Sequence, residues 1–305
     1  MTPSGPAEGF LLVDKEQGWT SHDAVAKIRG AVGGKVGHAG TLDPMATGLL
    51  VLGLGRSTRL LRFVQGYEKE YIATALFGVA TDSLDADGAV ITREPLPVER
   101  PELEAVVARF TGDILQVPPM VSARKVEGRR LYSLAREGKE VEREARTVHI
   151  ASLEILEVAS SDYPEVTFRV VCGTGTYVRT LADDMARALG GRAHLTALRR
   201  TRNGSLSIDA ARSVGSLAAA ADAGTLDDLV ISPAAALAGL PGMTVDSRLE
   251  TAVRNGASFP VDSLEPPDPL GSPDAALVRL LDGSGDLLGI YRIDGAVARA
   301  EVVTA

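Results

Sequence analysis

The chain has 305 residues, 45% of them hydrophobic, which is enough to bury a large core and implies one large folded unit plus a small one. No apolar run approaches bilayer-spanning length, and the opening MTPSGPAEGF has no basic stretch followed by an apolar core, so the expectation is a cytoplasmic protein with no membrane partner. The net charge of -8 argues against nucleic acid as a partner, yet all of the excess sits late in the chain: 6 basic against 14 acidic residues from Asp209 onward, and 26 of each in positions 1–208. Three basic clusters in that neutral part are candidates for a phosphate-binding face: Arg56, Arg59 and Arg62; Arg124, Lys125, Arg129 and Arg130; and Arg199, Arg200 and Arg202. With Cys172 alone there is no internal disulfide and no cysteine-based zinc site, and histidines at 22, 38, 149 and 194 lack metal-ligand spacing, so no metal is expected.

In chain order, Gly9 to Val13 reads as a short buried strand. Thr20 with Asp23 three residues on resembles a capping box, opening a helix with Val25, Ile28 and Val32 on one face and Gly33-Gly34 as its stop. A loop from Gly37 to Gly48 precedes an apolar strand from Leu49 to Leu54. Tyr71 to Phe77 alternates as a strand, and Thr81 to Gly88 is rich in turn formers. A helix opens at Pro101 and carries Leu103, Val106, Val107 and Phe110 on one side. From Val117 to Arg146 the density of Arg, Lys and Glu suggests an exposed arm. Val166 to Cys172 alternates again, and Gly173-Thr-Gly-Thr then turns the chain into a helix from Tyr177 to Leu189, closed by Gly190-Gly191. Ala210 to Leu240 looks helical, Pro241-Gly242 marks a boundary, and after a Pro-rich stretch the segments 276–281, 287–293 and 298–303 read as short strands, the first two a hairpin.

Chemistry concentrates in the loop at 37–48. Asp43 precedes Pro44, which biases its backbone to extended geometry, and Gly40 and Gly48 let the chain turn tightly and approach a ligand closely. A lone Asp-Pro is nearly always just the start of a turn. Here the loop also carries His38 and Thr41, and it lies between a helix and a buried strand, a rigid frame for a site.

The eleven residues His38-Ala-Gly-Thr-Leu-Asp-Pro-Met-Ala-Thr-Gly48 resemble the signature of the TruB family of tRNA pseudouridine synthases, which includes the dyskerin branch. Further blocks match in order: Val13 to Ser21, Lys69-Glu-Tyr71, Thr81 to Gly88, Pro118 to Ala123 with Leu131-Tyr132, Gly173 to Thr180, Ala193-His194 and Leu198-Arg-Arg200. The resemblance implies an α+β pseudouridine synthase catalytic fold, with a mixed, mainly antiparallel sheet flanked by helices over residues 1–240, and a small β-rich PUA-like domain over 241–305. It also implies isomerisation of the T-loop uridine at position 55 of tRNA without a cofactor. Asp43 is then the catalytic carboxylate, acting either on C1′ or in proton removal, since carboxylates suit cleavage at an anomeric carbon. Tyr71 stacks on the extruded base, and Arg179 pairs with the carboxylate and favours its charged form. His38 contacts the flipped nucleotide, Tyr177 and Leu198 line the pocket, and Lys15 and Lys69 support the cleft or phosphates. The arm at about 122–146 grips the T-arm of tRNA, the base is flipped out before reaction, and the enzyme is a monomer needing no protein partner.

Glu16 and Met45 depart from the family's usual proline and leucine, away from the proposed chemistry. The acidic balance of the C-terminal part speaks against phosphate binding there. Two other readings remain open at this stage: a tRNA-binding or folding chaperone with secondary or no catalytic activity, and a nucleosidase, for which a second carboxylate acting as acid is normally required.

Overall fold

The computed structural model describes residues 8–120, 125–126, 129–130, 141, 143–264 and 277–304. The first strand, β1 (Gly9–Lys15), is apolar from Phe10 to Val13 because both faces are covered: Leu11 and Val13 enter one hydrophobic core, Phe10 and Leu12 another. Helix α1 (Ser21–Val32) follows, its N-terminus closed by the Thr20–Asp23 capping box read in the sequence. Next come β2 (Val36–His38) and β3 (Thr47–Leu54), the latter two-faced like β1, with Leu49 and Val51 on one side and Leu50, Leu52 and Leu54 on the other. The short helix α2 (Leu61–Gln65) leads to β4 (Lys69–Phe77), and β5 (Val79–Thr81) with β6 (Val90–Arg93) forms a separate hairpin.

Helix α3 (Arg100–Val107) and β7 (Gly112–Gln116) precede the arm. Most of the arm expected at 122–146 lies outside the described residues; within it β8 (Lys125–Val126) pairs with β9 (Arg129–Arg130). The chain then runs through β10 (Arg146–Ala159), β11 (Glu165–Cys172), α4 (Val178–Ala188), β12 (Ala193–Asn203), β13 (Leu206–Ser207), β14 (Arg212–Ser213), α5 (Val214–Asp222) and α6 (Pro233–Ala236).

These strands build a ten-stranded sheet in the order β14-β1-β3-β12-β4-β11-β10-β7, with β2 on β3 and β13 on β12. All pairings are antiparallel except β1 with β14 and β3 with β12, so the sheet is mixed and mainly antiparallel, as the sequence implied.

Two long strands, β10 and β12, were not expected from the sequence. Register shifts explain this: the β10 pairing with β11 slips between Ile150 and Ser152, and β12 on β4 slips between Leu195 and Ala197 and between Arg200 and Arg202. Each extra residue breaks the two-residue alternation by which a strand is read. The stretch from Ala210 to Leu240 is not one helix. It breaks into α5, a 3-10 turn at Leu226–Leu229 and α6, interrupted at Gly224, whose φ is 72°, and at Pro233.

The C-terminal part forms a second sheet. It contains β15 (Gly242–Thr244), helix α7 (Ser247–Arg254), β16 (Phe259–Pro260), β17 (Leu277–Leu281), β18 (Leu287–Asp294) and β19 (Val297–Val303), ordered β15-β17-β18-β19-β16. Position 276, where a strand was expected to begin, lies outside the described residues. This sheet is not an appendage. Leu287 and Ile290 of β18 share a hydrophobic core with Phe10, Leu12, Leu49 and Val51, and Arg279 donates to the carbonyls of Ala234 and Leu240. Among the described residues no helix is long and apolar enough to cross a membrane.

Because Ile290 is fully buried between the two sheets, Ile290→Ala is expected to cost about 2–5 kcal/mol. Calorimetry is expected to show one cooperative transition shifted to lower temperature; two separate transitions, only one of them shifted, would mean that the sheets unfold independently.

Candidate active site

The geometry of the site follows from alternation along two neighbouring strands. On β4, Lys69 and Tyr71 share a face with Ala73, Ala75 and Phe77, and on β12 Leu198 and Arg200 share a face. The apolar members of this face fill the core, whereas Lys69, Tyr71, Leu198 and Arg200 line a cavity of about 290 Å³. The loop Gly40 to Asp43 and the turn Gly173 to Arg179 complete its wall. The cavity therefore sits where one face of the sheet runs out of core.

The loop carrying Asp43 is pinned from several directions. Ser21, fully buried at the start of α1, accepts from the Leu42 N–H at 2.9 Å and donates to the Leu42 carbonyl at 3.2 Å. The Gly18 N–H donates to the Pro44 carbonyl at 2.9 Å, and the Ala46 N–H donates to the Asp43 carbonyl at 3.1 Å. Leu42, Met45 and Ala46 are buried in the main core, while Ala39 lies in the second. Gly48, at φ 99°, is a residue where no side chain fits: a Cβ there would stand 2.3 Å from the Arg200 carbonyl oxygen.

Asp43 meets Arg179, the second residue of α4. The Arg179 Nε lies 3.0 Å from Asp43 Oδ2, with the arginine side chain 3% exposed and that of Asp43 36% exposed. Arg179 is shared. Its Nη1 donates to Asp85 Oδ2 at 2.9 Å and to the Ser83 carbonyl at 2.8 Å, and Asp85 is itself 7% exposed and accepts from the Ser83 hydroxyl. One buried cation thus bridges two carboxylates, only one of which opens to the cavity. The turn presenting Asp85 stores strain, because the preceding residue Leu84 is held at φ 62°.

Burial raises the Asp43 pKa above the ordinary carboxylate value, and the Arg179 charge opposes that rise. Tyr71, half-buried on β4, has its pKa raised by burial, with Arg200 pulling the other way.

The remaining residues singled out from sequence take varied places. Tyr177 caps α4, and its backbone N–H and carbonyl are both held by the buried side chain of Gln116, at 2.8 and 3.1 Å. Tyr177, Leu198 and Lys69 line the cavity. The Lys69 ammonium donates to the Gln65 and Tyr67 carbonyls, and burial lowers its pKa to about 8. Lys15 and His38 do not line it. Lys15 is fully buried behind the loop, donating to the Glu16, Trp19 and Pro44 carbonyls, its pKa lowered by burial to about 8 although Asp43 pulls it up. His38, half-buried on β2, meets the edge of the His22 ring, with centroids 5.6 Å apart.

The expected phosphate-binding clusters are largely engaged within the molecule. Arg59 and Arg62 donate to the Val303 and Glu301 carbonyls, Arg56 pairs with Glu8, Arg199 with Asp14, and Arg200 is buried, 1% exposed. Residue 124 lies outside the described residues, as do the side chains of 125, 129 and 130.

Two family models match this sequence. Residues 27–178 match the N-terminal domain of TruB family pseudouridylate synthases, and residues 179–237 match the C-terminal domain of tRNA pseudouridylate synthase B. The chain belongs to the TruB family. It is 42% identical over 302 residues to tRNA pseudouridine synthase B of Burkholderia lata, covering 98% of this chain and 91% of that protein. It is likewise 42% identical over 300 residues to that of Leifsonia xyli, covering 96% and 95%. Among solved structures, one titled as a Cbf5-Nop10-Gar1 complex superposes with a TM-score of 0.76 at 25% identity, covering 97% of this chain and 84% of that one.

Sequence reasoning singled out neither Asp85 nor Gln116 in this TruB-family chain. Asp85 lies within the matched block Thr81 to Gly88, but turn formers there hide a buried acid among exposed ones. Gln116 follows an exposed Leu115, and nothing local marks it as inward-facing.

Two outcomes follow for pseudouridine formation by this TruB-family chain. Arg179→Lys weakens the attraction that opposes burial at Asp43, so the Asp43 pKa is expected to rise further; if turnover requires ionised Asp43, the acid limb of the single-turnover rate moves to higher pH, and an unmoved or lowered limb would count against that requirement. Asp85→Ala leaves a buried cation with one carboxylate fewer and is expected to cost about 3 kcal/mol in urea unfolding, whereas a loss below about 1 kcal/mol would show the pair to be dispensable.

Proposed function

We propose that this protein isomerises the T-loop uridine at position 55 of tRNA to pseudouridine, with Asp43 as the catalytic carboxylate. The observation that carries the reading is the Asp43–Arg179 pair opening into a cavity walled by Tyr71 and Leu198. In this reaction the N1–C1′ bond breaks, the uracil turns, C5 bonds to C1′, and the proton leaving C5 is balanced by one gained at N1. Nothing is oxidised or reduced, so the reading calls for no redox cofactor, and the charge that develops is met by the chain's own residues.

Asp43 acts at the sugar, either attacking C1′ or removing a ribose proton. Arg179 favours its anionic form against the pull of burial, and Asp85 keeps Arg179 in place. Tyr71 packs against the flipped base, Leu198 and Tyr177 close the sides of the cavity, and His38 contacts the displaced nucleotide from the other side of the loop. Lys69 supports the cavity floor and Lys15 the back of the Asp43 loop. Water has to be kept from C1′ throughout, since its attack there gives hydrolysis in place of isomerisation.

Residues 1–240 form the catalytic unit on this reading, and 241–305 a PUA-like unit that stabilises it. The T-arm of tRNA is held by the arm at about 122–146, whose sequence carries Arg124, Lys125, Arg129 and Arg130. The working form is a cytoplasmic monomer without an obligate protein partner. The use of tRNA is supported by the names of the curated relatives, tRNA pseudouridine synthase B.

Asp43→Asn keeps the size of the side chain and removes its charge. Incubated with unmodified tRNA and followed by nucleoside analysis, it is expected to lose pseudouridine formation by a factor on the order of 10³ or more, with tRNA affinity within about threefold of wild type. Undiminished turnover would remove Asp43 from the chemistry, and wild-type protein that binds tRNA without making pseudouridine would favour the chaperone reading.

A further inference from the structure

Arg200 is among the largest fully buried side chains, and among the described residues no carboxylate lies within ion-pair distance of it. Burying a guanidinium is costly unless its charge and its donors are met. Here they are met by backbone: Nε donates to the Leu49 carbonyl at 2.6 Å and Nη2 to the Gly40 carbonyl at 3.2 Å. These two carbonyls bracket the loop that carries Asp43. The backbone of Arg200 packs against Gly48 at the same loop's end, in the parallel pairing of β3 with β12.

Across the other edge of β12, Arg200 is the direct register partner of Tyr71, and both side chains line the cavity. One side chain therefore holds the loop of the acid and faces the cavity directly opposite the tyrosine. Lys69, which lines the cavity, and Lys15, which lies behind the loop, have their pKa values lowered first by burial and further by the charge of Arg200.

We propose that Arg200 is a positioning residue for pseudouridine formation: a buried guanidinium without an acid partner that fixes the Asp43 loop at both ends and holds the Tyr71 hydroxyl beneath the flipped base. Two physical demands point to an arginine here. A neutral side chain of the same volume cannot hold both carbonyls, and lysine, a single point of charge, cannot span them while reaching Tyr71. A buried acid beside it would neutralise the field that the cavity presents to a uracil leaving C1′ with negative charge on its oxygens.

The inference rests on the function proposed above, and the experiment separates the two. Steady-state kinetics with unmodified tRNA are measured for the wild type, Arg200→Met, Tyr71→Phe and the double variant, each first shown folded by its thermal unfolding midpoint. Arg200→Met is expected to lower kcat on the order of 10²-fold with KM within about threefold. In the Tyr71→Phe background, where the hydroxyl is already gone, the same change is expected to cost at least about fivefold less. Arg200→Lys, which keeps the charge, falls between, and it carries the cycle if Arg200→Met does not fold. Equal losses in both backgrounds, a change in KM alone or no loss would overturn the proposal. A wild-type protein that makes no pseudouridine would instead overturn the function on which it rests.

Discussion

One buried guanidinium shared between two carboxylates organises the site. Arg179 comes from the start of a helix, Asp43 from a loop near the N-terminus and Asp85 from a strained turn, and none of the three is held in place by its own element alone. Burying a cation this completely is tolerable because Asp85 and the Ser83 carbonyl satisfy it from the interior side. The remaining face of the guanidinium is then directed at Asp43, where burial raises the carboxyl pKa and the Arg179 charge opposes that rise. The arrangement lets one buried cation serve two acids, one interior and one open to the cavity.

The sheet makes this possible by having two cores. Strands β1 and β3 bury side chains on both faces, so the loop entering β3 is anchored in both cores, by Ala39 on one side and by Leu42, Met45 and Ala46 on the other. A loop so fixed can present a carboxylate at a defined angle, which agrees with the need for pre-set geometry at a reacting centre. The C-terminal sheet takes part through the second core, so its acidic character and its packing role are compatible.

Much of this was legible in the sequence, and the exceptions have physical causes. The continuous apolar runs of β1 and β3, the capping box of α1 and the glycine-closed α4 were readable because each depends on neighbours in the chain. Asp43, Tyr71 and Arg179 were found through ordered motif blocks, and in the structure all three line one cavity. By contrast, β10 and β12 were missed because bulges break their alternation, and Arg200 was taken for part of a surface cluster because a run of arginines reads as solvated charge. Its burial depends on carbonyls about 150 residues away, which no local pattern encodes. Gln116 escaped for the same reason: its partners are the backbone of Tyr177.

The parallel contact between β3 and β12 also bears on how the molecule comes into being. Thr47 and Gly48 pair with Arg199 and Arg200, so the segment bearing the acid waits for a strand translated long afterwards. A nascent chain emerging from the ribosome has α1 and the β1–β3 pairing to build on early, but the floor under the Asp43 loop is missing until β12 has cleared the exit tunnel. Contacts this distant in sequence slow folding. The cavity therefore lacks one wall through most of the chain's synthesis, until the central strand slots between β3 and β4.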